Sequence, residues 1–174
     1  MEILFNQYVI IILRLLHIVG GALWVGGGVL YGILLMPAIK SADSAGQTVM
    51  KKFAPRFHTF MAVLANTTIL SGALLYSRFF IGVGVRWVWS SPTAIAFTFG
   101  AVAGIISYGM GAGFFAPTQK KIEALAAKMA VTSQPSADQI TQMNNLQASM
   151  MKANQLDFVL LMSALGAMAV ARYL

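Results

Sequence analysis

Residues 8–36 read YVIIILRLLHIVGGALWVGGGVLYGILLM, an apolar stretch that is interrupted only by Arg14 and His17. A helix needs about 20 apolar residues to cross the ~30 Å hydrocarbon core of a bilayer. This stretch is longer than that, and a backbone surrounded by lipid must form its hydrogen bonds within its own segment. The stretch therefore predicts a transmembrane helix.

Three further apolar stretches repeat the pattern, at about 57–80, 92–116 and 156–174, with Asp157 and Arg172 at the two ends of the last one. Of the 174 residues, 58% are hydrophobic and 10% are charged. A soluble domain has roughly 25% charged residues, so this composition points to lipid as the solvent. We predict an all-α protein, a single integral membrane domain over 1–174 that forms a four-transmembrane-helix bundle.

The segment between the third and fourth spans, about 117–155, predicts a helical hairpin extension of the bundle. Its first half has apolar residues at helical spacing and is broken by Ser133-Gln134-Pro135. Ser136 then has the features of an N-cap, and Gln139 completes a capping box. In the first connection, Ser44 and Gln47 are expected to open the second helix early. No second domain and no convincing internal repeat is evident.

Basic residues divide the connections unequally between the two sides of the membrane. The net charge is +7. Eight basic residues belong to the first and third connections and three to the other side: Lys40, Lys51, Lys52, Arg56, Lys120, Lys121, Lys128 and Lys152 against Arg78, Arg86 and Arg172. Cytoplasmic loops of membrane proteins are rich in Lys and Arg. We therefore predict a multi-pass protein of the cell inner membrane with a cytoplasmic hairpin, non-cytoplasmic termini and no nucleic-acid partner.

Several kinds of chemistry are poorly supported by the composition. The absence of cysteine excludes disulfides, thiolate metal sites and cysteine nucleophiles. Acidic residues are almost absent from the spans, which argues against paired-carboxylate hydrolysis. The eleven methionines are dispersed, as expected for residues that fill gaps and contact lipid. No catalytic residue is assigned, and whether the chain is an enzyme stays open.

The most informative candidate site lies in the first span. Arg14 and His17 are three residues apart and share a helix face, which Gly20, Gly21 and Trp24 continue. Ionisable groups inside a span are costly and usually face a partner. A neutral imidazole is a common haem ligand, and an Arg can neutralise a propionate. The spacing equally suits a histidine that bonds a neighbouring polar group, with glycines that allow close helix packing. Both interpretations remain open.

The second span contributes two weaker candidates, His58 and Asn66. His58 is either an interfacial histidine or a second ligand or proton-exchange group. Asn66 begins a polar stripe with Thr67, Thr68 and Ser71, which either bonds the imidazole or serves ordinary interhelical hydrogen bonding.

A tight first connection would place His17 level with Asn66. His58 would then be about eight residues, or ~12 Å, away along the helices. One hairpin could not bring both histidines to one haem; a helix break, a dimer or separate sites would be needed.

Three stretches carry a resemblance to a known family. Residues 15–27, LLHIVGGALWVGG, resemble the first helix of the copper-resistance D family of small four-helix bacterial membrane proteins, with a His followed by Trp-x-Gly-Gly. Residues 56–76, RFHTFMAVLANTTILSGALLY, and 157–174, DFVLLMSALGAMAVARYL, are similar to its second helix and its C-terminus. HemJ-type protoporphyrinogen oxidases look more distantly similar. Their first-helix His is thought to ligate haem b, and the resemblance implies this role for His17.

The residues and the resemblance together lead to three functional hypotheses. The first is a haem b redox protein that passes electrons between a quinol (or porphyrin) and another carrier. Its candidate metal ligands are His17 and His58, and its candidate cofactor-binding residues also include Arg14, Gly20, Gly21, Trp24 and Asn66. The second is a non-catalytic subunit of a larger respiratory or photosynthetic membrane complex. The third is a copper-handling or transport protein. A homodimer or a larger complex is expected in the membrane.

Overall fold

The computed structural model describes residues 6–81, 84–132 and 134–174. These residues are almost entirely helical and include no strand. Four of the helices are long and apolar enough to cross a membrane. The prediction of an all-α four-helix membrane protein is confirmed.

The first two spans form one helical arm. Helix α1 (Gln7–Val29) continues through a π-helical segment, Leu30–Leu35, into α2 (Met36–Ser41). Only Ala42 separates α2 from α3 (Asp43–Phe80). The second helix thus begins well before its apolar stretch, as expected, although the side chains of Ser44 and Gln47 lie outside the described part of the structure.

The last two spans form a second arm. After a 3-10 helix, Gly84–Trp89, helix α4 (Pro92–Met110) begins at the N-cap Ser91. It continues through a π-helical segment, Gly111–Phe115, into α5 (Ala116–Ala130). Helix α6 (Ala137–Val170) returns and ends in a short 3-10 turn. Helix α5 packs against the first part of α6.

The start of α6 has the capping box that the sequence predicts. The Ser136 hydroxyl accepts a hydrogen bond from the Gln139 backbone N–H at 3.2 Å, and the Gln139 side chain accepts one from the Ser136 N–H at 2.9 Å. This reciprocal pair satisfies two N–H groups that a helix start otherwise leaves without partners. The predicted break lies between Ala130 and Ala137, where α5 ends and α6 begins.

Both arms share one irregularity that the sequence analysis did not identify. Each π-helical segment directly precedes a residue–proline pair, Met36–Pro37 in one arm and Ala116–Pro117 in the other. Proline lacks an N–H, and its ring clashes with the carbonyl four residues earlier, so the preceding helical turn must open. A widened π turn relieves that clash. The two arms therefore share a π-helical segment just before a proline, although their sequences differ.

The arms meet at a small apolar core, which consists of Trp24, Val25, Leu64, Ala65 and Leu161. Elsewhere the apolar spans face outward, and only 17–22% of the most apolar window of each span is buried inside the protein. In water such a surface would be strongly unfavourable, whereas in hydrocarbon it is not. A bilayer environment explains this distribution.

Close packing of α4 on α6 depends on Gly100. A Cβ added there would lie 2.9 Å from Cγ of Met168 and 3.2 Å from the carbonyl oxygen of Ala164. We expect Gly100→Ala to destabilise the protein by ~1–3 kcal/mol, the usual cost of overpacking. Gly104→Ala is the matched control, because a Cβ there would meet nothing within 4 Å. Unfolding in mixed detergent micelles measures both, and equal stability of the two variants would contradict this packing.

Candidate functional site

The imidazole of His17 is held by the backbone of α3. Its Nδ1 lies 2.8 Å from the carbonyl oxygen of Thr68. Because a carbonyl only accepts hydrogen bonds, Nδ1 carries the hydrogen and donates it. Nε2 then keeps its lone pair, and no described residue forms a hydrogen bond with that nitrogen. The contact selects the tautomer in which Nε2 is the nitrogen able to bind a metal.

Gly72 makes this position of His17 possible. A Cβ at residue 72 would lie 2.6 Å from Cε1 and 2.8 Å from Nδ1 of the imidazole. No real Cβ approaches a ring atom that closely, so any other residue would displace the imidazole from the Thr68 carbonyl. Gly72 was not among the residues expected at this site, and its signal in the sequence is the Ser-Gly pair late in the second span.

The hydroxyls of the polar stripe bond their own helix rather than the imidazole. Thr68 Oγ1 donates to the Leu64 carbonyl at 2.8 Å. Ser71 Oγ donates to the Thr67 carbonyl at 2.5 Å and, more weakly, to that of Thr68 at 3.2 Å. His17 therefore contacts the stripe through a backbone oxygen and not through a hydroxyl. The Thr68 carbonyl oxygen accepts hydrogen bonds from both His17 and Ser71.

Gly20, Gly21 and Trp24 are used for packing inside the protein. A Cβ on Gly20 would lie 2.8 Å from Oγ1 of Thr68, and one on Gly21 would lie 3.4 Å from its Cγ2. The Trp24 side chain is only 8% exposed and belongs to the apolar core. These contacts match close helix packing, which was one of the two interpretations of these residues; the other was a haem site. Any ligand of His17 would have to approach from the side of Nε2.

Arg14 is exposed and lies one helical turn from His17. It makes no hydrogen bond or ion pair with the described residues. Its guanidinium is therefore available for an anionic group that binds near His17, and it shares a face of α1 with the imidazole.

His58 lies far from His17 along the hairpin. Three contacts set the register of α1 on α3: Gly20 with Thr68, Gly27 with Met61, and the stacked rings of Tyr31 and Phe57. In this register His58 is level with Leu30, thirteen residues from His17, or ~20 Å at 1.5 Å per residue. The separation is larger than the sequence-based value, so the two histidines of one chain do not reach the same iron.

Asn66 links the two arms and does not contact His17. Its Oδ1 accepts a hydrogen bond from the Tyr108 hydroxyl at 2.8 Å, and its Nδ2 donates to the Ala62 carbonyl at 2.7 Å. The prediction that Asn66 lies opposite His17 is therefore wrong by about one helical turn. The residues of α3 that lie opposite His17 are Thr68 and Gly72. Asn66 has a structural role between α3 and α4.

A second polar site joins α4 and α6. The Ser107 hydroxyl donates to Oδ1 of Asp157 at 2.5 Å. Ser107 is nine residues, or ~14 Å, from Ala116, where the uncharged third span ends. Asp157 is half-buried and therefore lies well within the apolar length of α4, although by its sequence position it stands at the end of the fourth span. The sequence does not show this position, because it depends on the register of α6 against α4.

The described residues hold no group of three or more His, Cys, Asp or Glu that could bind a metal ion. A site built from protein ligands alone is therefore not supported in this part of the chain. A haem differs, because the porphyrin supplies four nitrogens and the protein needs to supply only an axial ligand. The free Nε2 of His17 meets that smaller requirement.

No protein-family model, no curated protein and no solved structure matches the chain significantly. The fold nevertheless defines a class, that of multi-pass α-helical membrane proteins. A more specific assignment has to come from the geometry of the two polar sites.

Proposed function

We propose that the chain is a haem b-binding membrane redox protein in which Nε2 of His17 ligates the iron. The observation that carries this proposal is the hydrogen bond from Nδ1 of His17 to the Thr68 carbonyl at 2.8 Å. Metal-ligating histidines characteristically donate their second ring N–H to a carbonyl or carboxylate, which orients the ring and makes the ligating nitrogen more basic. His17 has this arrangement inside a membrane span.

The surrounding residues have separate roles in this proposal. The Thr68 carbonyl holds the ring, and Gly72 leaves space for it. Arg14, one turn away and exposed, pairs with a propionate. Bound haem supplies one-electron transfer, and the protein supplies the ligand, its orientation and the local charge.

Membrane-soluble electron donors, a quinol or a porphyrin, are the proposed reductants, and a further carrier is the proposed acceptor. Because His58 of the same chain lies ~20 Å away, it would not share a haem with His17. In a homodimer, a residue of the second copy would be able to supply a further haem ligand.

The visible spectrum of the purified full chain in detergent tests the proposal. We expect a Soret band and a reduced-minus-oxidised α-band, with haem extracted and identified as the b type. A folded, monodisperse protein that shows neither band, even after incubation with haem, would overturn it.

A second function, that of a non-catalytic subunit in a larger membrane complex, is favoured by the open glycines of the third span. A Cβ on any of four glycines would meet nothing within 4 Å: Gly104, Gly109, Gly111 and Gly113. Exposed small residues let another membrane helix approach closely. Purification in a mild detergent with partners in fixed stoichiometry would support this role, whereas a stable and redox-active isolated chain would count against it. No described contact favours a copper-handling role.

The proposed orientation places the α5–α6 hairpin in the cytoplasm and both termini outside, in the cell inner membrane. The distribution of Lys and Arg supports it. A reporter enzyme that is active only outside the cytoplasm, fused to the C-terminus, tests this orientation. We expect the fusion to be active.

A further inference from the structure

The carboxyl of Asp157 is the only carboxyl of the described residues that lies within an apolar span. The other described acids with a described side chain, Glu123 and Asp138, lie on the hairpin in α5 and in the first turn of α6. Ser107, which donates to Asp157, is only 2% exposed. One turn further along α6, Leu161 belongs to the apolar core with Trp24 and Val25. The half-buried Asp157 thus contacts a buried hydroxyl, one helical turn from the apolar core.

No cation compensates this carboxyl among the described residues. On its own helix the nearest charged residue is Lys152, five residues away and exposed. Helix α4 presents the Ser107 hydroxyl and has no charged residue. Tyr108, next to Ser107 on α4, donates its hydroxyl hydrogen to Asn66. No ion pair joins Asp157 to the remaining described ionisable residues of the packed helices, which are Tyr8, Arg14 and His17 on α1, Lys52, Arg56, His58, Tyr76 and Arg78 on α3, and Lys120, Lys121, Glu123 and Lys128 on α5. The Ser107 hydroxyl is the one hydrogen-bond partner that Asp157 has within the described ranges.

An isolated carboxylate in hydrocarbon is costly, and binding a proton removes its charge. A serine hydroxyl suits both states of such a group, because it donates to the carboxylate and accepts from the carboxylic acid. The hydrogen bond between Ser107 and Asp157 can therefore persist when a proton is taken up or released, with only a rotation of the hydroxyl hydrogen. From this geometry we propose that Asp157 and Ser107 form a proton-binding site inside the membrane.

The proton enters from the side of the α5–α6 hairpin. Asn154 is one turn from Asp157 in that direction, on the same face of α6, and is half-buried. In the opposite direction the same face continues with Leu161 and Ala164, which are both buried and apolar. On this face of α6 a polar side chain precedes the carboxyl and apolar side chains follow it, which favours proton exchange with the compartment on the hairpin side.

A lipid-soluble carbodiimide tests the proposal, because it adds to a protonated carboxyl in an apolar environment and the acid proton passes to a carbodiimide nitrogen. The full chain in liposomes is treated with dicyclohexylcarbodiimide over a range of pH, and peptide mass spectrometry locates the adduct. We expect an adduct on Asp157 that is lost as the pH rises. Asp157→Asn should lose it entirely, whereas Glu123→Gln, on the exposed hairpin, should keep it.

Two further variants test the role of Ser107. Ser107→Ala should move the pH at which the adduct disappears, since it removes the only hydroxyl bonded to the carboxyl. Ser77→Ala is the matched control, because Ser77 is half-buried on α3 and its hydroxyl bonds only the Leu74 carbonyl. Coincident pH curves for the Ser107→Ala variant and the wild type would overturn the proposed pair.

Other outcomes would also overturn the proton site. One is the absence of an adduct on Asp157 at every pH in folded protein, and another is labelling that does not change with pH. A third is protection of Asp157 by Na⁺ but not by an equal concentration of choline, which would indicate a sodium site. The inference does not rest on haem binding. Asp157→Asn should leave the visible spectrum unchanged, so the failure of either proposal can be recognised separately.

Discussion

If His17 ligates haem as proposed, we expect His17→Ala to remove the haem b absorbance bands of the purified protein and His58→Ala to leave them in place. The physical reason is that His17 alone combines a position inside a span, a ring oriented by the Thr68 carbonyl and a free Nε2. His58 lies ~20 Å further along the hairpin and cannot replace it. Spectra of the two variants, recorded at equal protein concentration, check this expectation.

The controls for this prediction separate loss of the ligand from loss of the fold. Both histidine variants should elute as monodisperse protein with unchanged helical circular dichroism, because neither histidine belongs to the apolar core. Bands that survive in His17→Ala would show that any haem is bound elsewhere. Loss of the bands in His58→Ala alone would transfer the ligand role to His58.

We expect Gly72→Ala to weaken the proposed haem binding by about 10–100-fold, the effect typical of disturbing a group that orients a metal ligand. The added Cβ would lie 2.6 Å from Cε1 of His17, so the imidazole must leave the Thr68 carbonyl. The ligand itself remains in the variant, and only its tautomer and direction are changed. Titration of haem into the apo-protein measures the affinity.

The matched control for Gly72 is Gly26, another glycine of the same hairpin. A Cβ on Gly26 would meet nothing within 4 Å, so Gly26→Ala should bind haem as the wild type does. This pair excludes a general effect of adding a methyl group to a membrane helix. Equal affinities for the Gly72→Ala variant and the wild type would show that the imidazole does not need its hydrogen bond to Thr68.

The local features of the fold could be predicted because each depends on a short stretch of sequence. Long apolar stretches predict spans, since they cross hydrocarbon only as helices. The capping box at Ser136 and Gln139 is a contact within four residues, and the structure confirms it. The π-helical segments have a local signal as well, because Pro37 and Pro117 lie at the second position after them.

The register between helices could not be predicted in this way, because it depends on the path of each helix. From Gly46 to Phe57, α3 uses eleven residues where the facing helix uses eight, from Ile39 to Tyr31. This stretch of α3 contains Pro55. A few residues of difference are enough to move the partner of His17 from Asn66 to Thr68 and Gly72.

The amino-acid sequence by itself determined that this protein is a set of apolar helices with a rare histidine and a rare acid, because the hydropathy and capping of a helix depend on neighbouring residues. Only the tertiary structure decided what those two groups contact: a backbone carbonyl over a glycine for His17, and a buried hydroxyl for Asp157. A carbonyl acceptor exists at every residue and carries no signature in the sequence. Which carbonyl lies opposite an imidazole is set by how two helices pack over their whole length.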